Sequence, residues 1–172
     1  AWMAEAERRG LVNLPNTAAA LPAYILPKNV ALMTKHGVYT TSEMLARHEI
    51  HMEKYCKLIS IEAATLVDMV QHSILHAASR YEGVLCQTIL QKKQALPHAD
   101  CRVETALAES ILTLNGELLD DTVALKTALE TAPETDGEHM LHYYHDTIFA
   151  QMNKVRASID KLETLVAGDY WP

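Results

Sequence analysis

Residues 40–81 form a long stretch without glycine or proline. Its beginning pairs Thr40 with Glu43, the spacing at which a threonine hydroxyl and a glutamate carboxylate cap the same helix start. Mainly apolar residues then recur at steps of three and four, or their sum: Leu45, His48, Met52, Tyr55, Ile59, Ala63, Leu66, Val70, Ala77 and Tyr81. This spacing predicts one long helix whose apolar stripe any fold of the chain has to cover.

The opposite side of this predicted helix is not uniformly polar. Four apolar residues lie there among charged ones: Ile50, Leu58, Ile61 and Leu75. A helix covered on one side only should have a polar back, although scattered surface apolar residues are common. Either these four are such scattered residues, or they form a candidate interface with another domain or subunit.

The region before the long helix predicts a short-helix arm over residues 1–39. Prolines divide it, because each disfavours helical geometry in its predecessor; they are Pro15, Pro22 and Pro27. Asn16 or Thr17 can cap one turn that reaches Ala20. Pro27 is then expected to open a second short helix, which Gly37 closes.

The long helix is assigned to residues 40–96, with Gly83 as the expected position of a kink and Pro97 as its end. Residues 97–172 are assigned to a helical hairpin and tail. The first hairpin stripe passes through the Asn115-Gly116 pair without losing helical spacing: Val103, Leu107, Ile111, Leu114, Leu118, Leu125 and Leu129. The second follows a turn at residues 132–137: Leu141, His145, Ile148, Met152, Val155, Ile159, Leu162 and Val166.

These stripes predict an all-α fold. The second hairpin stripe has the 3.5-residue repeat of a coiled-coil seam. Because a short turn forces its two helices to run antiparallel, the simplest architecture is an antiparallel bundle of three long helices, one very long, with the N-terminal arm. The whole of residues 1–172 is taken as a single helical domain.

The amino-acid composition of the chain limits the kinds of molecule to which it can bind. The net charge of −7 argues against a nucleic-acid partner, and no apolar run approaches the roughly 20 residues that span a bilayer. Three cysteines without metal-type spacing indicate reduced thiols in a cytoplasmic protein. The start at Ala1 and the end at Trp171-Pro172 suggest that the chain is a piece of something longer.

The residue pattern contains no recognisable catalytic apparatus. His72 and His76 share a helix face, and three histidines recur at steps of three from His139, but no glutamate precedes a histidine by three as di-metal bundles require. Phosphate loops and nucleophile elbows are also missing. We therefore predict no catalytic, cofactor-binding or metal-binding residue in the chain. The methionines could line an adaptable groove, although core filling is the more common role.

Three strings carry a resemblance to a known family. They are EAERRGLVNLPNTAAALP, then KNVALMTKHGVYTTSEMLARHEIHMEKYCKLISIEAATLVDMV, and near the end MNKVRASIDKLETLV followed by WP. In this order they resemble the C-terminal part of type III glutamine synthetase. The middle string is the most specific of the three, whereas residues 87–139 match weakly.

The resemblance implies the activity of the parent subunit: ATP-dependent condensation of glutamate with ammonia, with Mg²⁺ or Mn²⁺, in ring-shaped oligomers. It places the nucleotide, metal and glutamate ligands in a catalytic region upstream, so no cofactor is assigned to this chain. The implied role is structural, with the catalytic region and neighbouring subunits of a homo-oligomer as partners, in the cytoplasm and without nucleic acid or membrane. An independent helical protein-binding module is the alternative.

Overall fold

The computed structural model describes residues 2–133 and 137–172, and within these ranges it contains helices and no strand. The all-α prediction is therefore confirmed. We number six helices in chain order, with the fourth and sixth each containing a short π-helical turn. Their bounds are α1 Trp2–Arg8, α2 Thr17–Tyr24, α3 Pro27–Lys35, α4 Thr41–Ala95, α5 Arg102–Glu130 and α6 Glu138–Leu165.

The chain divides into two compact units. The first contains Ala1–Ile59 and Pro133–Asp146, and the second contains Ser60–Ala132 and Thr147–Pro172. The first unit holds the predicted N-terminal arm and the first part of α4. The second holds the rest of α4, all of α5 and most of α6.

A small apolar cluster forms the core of the first unit. Ala18, Met52 and Leu141 are buried together, and Leu21 and Tyr55 pack against them. Helix α2 is held in place for this packing by its N-cap, because the Asn16 side chain accepts a hydrogen bond of 2.8 Å from the Ala19 amide. The predicted cap at Asn16 is confirmed.

Pro22 does not divide the arm as predicted. Helix α2 continues through it to Tyr24, although a proline inside a helix removes one backbone hydrogen bond. The helix end is stabilised instead by the Ala23 carbonyl, which accepts hydrogen bonds from the Asn29 side-chain amide at 2.6 Å and from the Ile25 backbone amide. The prediction of a single turn ending at Ala20 was wrong because these contacts, and the core position of Ala18, extend the helix.

Both predicted ends of α3 are correct. Pro27 occupies its first position, where its fixed φ suits the helix and its missing N–H has no intrahelical role. Gly37 follows the last turn with a φ of 63°, a left-handed conformation that glycine adopts without steric cost.

Helix α4 begins with the predicted capping box. The Glu43 amide donates to the Thr40 hydroxyl at 3.2 Å, and the Glu43 carboxylate accepts from the Thr40 amide at 2.7 Å. The Thr40 hydroxyl also donates to this carboxylate at 2.8 Å. The hydrogen bonds from Thr40 favour the ionised carboxylate and lower the pKa of Glu43.

We expect this cap to make the stability of the chain sensitive to acid. Because the folded pKa of Glu43 lies below its unfolded value, its contribution is fully present above the unfolded pKa and is lost as the pH falls through the folded pKa. Glu43→Gln should therefore be less stable than the parent at neutral pH, and the difference should shrink in acid. Urea unfolding across a pH series measures it, with Glu117→Gln on α5 as the control. A constant difference at all pH values would contradict the role of the charge.

The buried stripe of α4 follows the predicted one with local differences. His48, Met52, Ile59, Ala63, Val70 and Ala77 are buried as predicted. The prediction is wrong for Leu45, which is exposed, while its neighbour Met44 is almost completely buried. Leu66 is only half-buried beside the buried Val67. Adjacent residues lie 100° apart on a helix, so a small error in the position of the stripe exchanges one neighbour for the other.

The irregular part of α4 lies before Gly83. Residues Val70–Ile74 form a π-helical turn, and α-helix continues from Leu75 to Ala95 through Gly83. A π turn widens the backbone by one residue, and it often occurs where side-chain packing requires local adjustment. Val70 and Ile74 at its two ends are both buried.

Three helical segments pack together in the second unit, with α5 in contact with α4 on one side and α6 on the other. Large, fully buried side chains recur every seven residues on both α5 and α6: Ile111, Leu118, Leu125, Ile148, Val155 and Leu162. Helix α5 runs unbroken through Asn115 and Gly116, as predicted. Val103 is an exception: it is exposed in the first turn of α5, and the nearby buried residue is Cys101, which immediately precedes the helix.

Candidate interaction surfaces

The four candidate interface residues differ in exposure. Ile50, Leu58 and Ile61 are each more than half exposed, whereas Leu75 is half-buried. Leu75 follows the buried Ile74 and precedes the buried Ala78 by one turn, so the edge of the core reaches it. The first two residues belong to the first unit and the last two to the second. The four residues therefore lie on two separate surfaces, one on each unit.

Ile50 lines a groove of about 660 Å³ in the first unit. The apolar lining comes from Ile25, which follows α2, from α4 and from Met140 of α6. The polar lining comes from α4. The lining residues are Ile25, Leu45, His48, Glu49, Ile50, Met52, Glu53, Cys56, Gly137 and Met140. Leu45, which is exposed rather than buried in the core, is one of the residues that line this groove.

His48 is the polar residue at the base of this groove. It is 4% exposed, and its Nε2 atom is buried without a hydrogen-bond partner among the described residues. Cys56, two turns further along α4, is also buried, and burial raises the pKa of its thiol. A raised pKa keeps the thiol protonated, and a protonated thiol is a poor nucleophile.

Ile61 lines a second groove, of about 700 Å³, which lies within the second unit between α4 and α6. Its apolar lining includes Ile61, Leu66, Met69, Ile74, Phe149, Met152, Ile159, Trp171 and Pro172. Its charged lining consists of Glu62, Arg156, Asp160 and Glu163. This combination of apolar and acidic groups resembles a protein-contact surface more than a small-molecule site, because exposed contiguous apolar patches commonly mark interaction sites.

The tail that forms one wall of the second groove is anchored on α4. The Tyr170 ring lies 5.3 Å from the Tyr81 ring, and the Arg80 guanidinium lies 5.6 Å from the centre of the Tyr170 ring. The backbone amides of Tyr170 and Trp171 both donate to the Ala167 carbonyl. These contacts fix Trp171 next to the groove.

Several histidines form pairwise contacts with nearby side chains. His72 lies 2.9 Å from the Asp68 carboxylate, His142 lies 3.8 Å from Asp146, and His145 Nδ1 lies 3.2 Å from the Tyr55 hydroxyl. In the described part of the chain, no three histidine, cysteine, aspartate or glutamate residues come together as a group that could hold a metal ion. His72 and His76 share a surface-exposed face of α4 without a third ligand of this kind among the described residues.

Helix α4 differs from the expectation that no apolar segment approaches the length of a membrane span. It contains an 18-residue window of mean hydropathy 1.3, which by length and composition alone could cross a membrane. One such helix is only weak evidence for a membrane span, because the mostly buried core helices of soluble proteins pass the same test, and 28% of this window is buried.

The second groove was not predicted, except through Ile61. The sequence allows a groove role for the methionines, and Met69 and Met152 both line this groove, but no sequence pattern points to Phe149 or Trp171. Their contribution depends on the distance between α4, α6 and the tail in the folded unit, for which the sequence has no periodic signal.

Comparisons with known proteins extend these observations. The family profile of the glutamine synthetase C-terminal domain matches residues 1–93. The chain is 32% identical to a glutamine synthetase of Butyrivibrio fibrisolvens over 98% of its length, and 28% identical to a type-3 glutamine synthetase of Dictyostelium discoideum over 99%. It spans about a quarter of each relative, 24% in both cases. The chain belongs to the glutamine synthetase C-terminal domain family.

Proposed function

We propose that this chain is a structural and subunit-contact domain of a glutamine synthetase, and that it is not catalytic by itself. The parent subunit would ligate ammonia to glutamate with ATP and Mg²⁺ or Mn²⁺ in the cytoplasm, using ligands outside these 172 residues. The partners of the domain are the catalytic region of its own subunit and the neighbouring subunits of a homo-oligomer.

The observation that carries this proposal is the exposure of large apolar residues on α4. Ile50 and Ile61 are 59% and 64% exposed, and each lines a groove. Burying such side chains against a partner is favourable by about 1.5–3 kcal/mol each. The family membership and the short span of the chain within its relatives support a partner in the rest of the enzyme.

The proposal is tested by the double variant Ile50→Asn and Ile61→Asn. In the 172-residue chain, the free energy of unfolding should change by no more than about 0.5 kcal/mol per site, as is usual for surface positions. In the full-length enzyme, the same changes should shift the oligomer toward smaller species, because they place polar groups in a buried contact. Light scattering after size-exclusion chromatography measures the shift.

The matched control replaces two exposed apolar residues of α5, Val103 and Leu112, by asparagine. These changes should leave the oligomer intact. If the α4 double variant unfolds the 172-residue chain, Ile50 and Ile61 are core residues rather than contacts. If the full-length oligomer is unchanged, the subunit-contact role of α4 is wrong.

We also expect the 172-residue chain to form no glutamine from ATP, glutamate and ammonia. Its described residues contain no cluster suited to a catalytic metal, and its sequence contains no phosphate-binding loop. A coupled assay of phosphate release and direct detection of glutamine measure the activity, with the full-length enzyme as the positive control. Turnover by the pure 172-residue chain would overturn the non-catalytic assignment.

A further inference from the structure

The second groove has the dimensions of a helix-binding site. Its α4 side runs from Ile61 to Ile74 and its α6 side from Phe149 to Glu163, so each side is about four helical turns, or about 20 Å, long. A groove lined by two helices can accept the side-chain ridge of a further helix laid along it. A partner helix of about 14 residues would fill this length.

The charged lining of the groove is mainly acidic. Three carboxylates and one guanidinium line it, and the guanidinium of Arg156 already contacts Asp160 at 3.0 Å. Glu62 and Glu163 have no hydrogen-bonded or ionic partner within the described part of the chain. A helix with basic side chains beside its apolar stripe would complement both carboxylates.

The same charges disfavour a second copy of this chain as the occupant. If two copies paired through this groove by two-fold symmetry, each would present the same surface to the other. Six carboxylates would then meet two guanidinium groups, and like charges brought together at an interface are costly. The net charge of −7 on each chain opposes the same pairing at longer range.

We propose that this groove binds an amphipathic helix with basic flanks that belongs to the glutamine synthetase subunit outside these 172 residues. About three quarters of the relatives' length lies outside the matched region, since the chain spans 24% of them. The proposal rests on the subunit-contact function above and names its partner on the second unit. Ile61, Met69 and Trp171 receive the apolar stripe, and Glu62 and Glu163 receive the basic flanks.

The first test uses two stapled helical peptides of about 14 residues with the same leucine stripe at helical spacing. One carries lysines on its flanks and the other carries glutamates. In a Trp2→Phe background, Trp171 is the sole tryptophan of the chain and reports binding by its fluorescence. At low salt the lysine peptide should bind at least about tenfold more tightly than the glutamate peptide, and the ratio should approach one at high salt, because salt screens exposed charges.

Ile61→Lys and Leu112→Lys provide matched variants, because both replace a large apolar residue of similar exposure, 64% and 60%, and Leu112 lines neither groove. Ile61→Lys should weaken binding of the lysine peptide by at least about tenfold, as expected for an anchor residue, while Leu112→Lys should leave it unchanged. Circular dichroism should show both variants folded. Equal affinities for the two peptides at low salt, or equal losses in the two variants, would overturn the proposal.

The second test identifies the source of the helix in the full-length enzyme. The photo-crosslinking amino acid benzoylphenylalanine replaces Met69, and mass spectrometry locates the crosslinked segment. A crosslink to a basic helical segment outside the 172 residues is expected. A crosslink to the same 172 residues of a second copy would overturn the assignment. So would an amount of crosslinking at Met69 no greater than that at a control position, Leu112. Because the peptide test uses the isolated chain, its failure is separable from a failure of the assembly experiment.

Discussion

Leu118→Ala is expected to lower the free energy of unfolding by about 2–5 kcal/mol. Leu118 lies in the middle of α5 with no exposed surface, on the face that also carries the buried Ile111 and Leu125. Truncation removes apolar contacts and leaves a cavity, because close-packed neighbours relax only partly into the space. Urea unfolding, followed by the helical circular dichroism signal at 222 nm, measures the loss of stability.

Leu119→Ala is the matched control for this experiment. Leu119 is the same residue type in the same helix turn, but it is 49% exposed. Its truncation should change the free energy of unfolding far less, by about 0.5 kcal/mol or little more. Equal effects in the two variants would mean that the buried face of α5 has been placed incorrectly.

Helix starts and stops were predictable because their chemistry is local. The Thr40 and Glu43 capping box, the Pro27 start and the Gly37 stop each depend on a few neighbouring residues. The same holds for Asn115-Gly116, where the apolar spacing on both sides correctly indicated one helix. In each case the decisive contacts lie within four residues of the signal.

The predictions were wrong where residues distant in the sequence determine a helix end or a buried position. Asn29 hydrogen-bonds the last turn of α2 from six residues further on, which lets that helix include Pro22. The exchange of Leu45 for Met44, and of Leu66 for Val67, reflects which neighbour the packed core covers. Periodicity locates a stripe only to within about one residue, or about 100° around the helix, so these choices required the structure.

The candidate contact surface was only half predictable for a related reason. Ile50 and Ile61 were identified because an apolar residue on a polar face contradicts the expected pattern of a helix covered on one side. The groove that Ile61 enters also needs Phe149 from α6 and Trp171 from the tail. Their positions depend on how α6 and the tail pack on α4, and no local spacing encodes that packing.

Asn115 offers the opposite kind of test, in which a substitution should stabilise the chain. It lies on α5 between the buried Ile111 and Leu118, and both its Oδ1 and Nδ2 atoms are buried without a partner among the described residues. Removing an amide from water without replacing its hydrogen bonds costs about 1–3 kcal/mol. Leucine has the same branching as asparagine without polar atoms, and it is also a better helix former.

We therefore expect Asn115→Leu to raise the free energy of unfolding by about 1–3 kcal/mol. Asn153→Leu on α6 is the control, because Asn153 is exposed and its amide stays in contact with water in the folded chain. That change should have an effect within about 0.5 kcal/mol. Urea unfolding of both variants measures the difference. A loss of stability in Asn115→Leu would show that the amide makes a hydrogen bond in solution, for example to an enclosed water, and that the leucine forces this water out of the α5 packing.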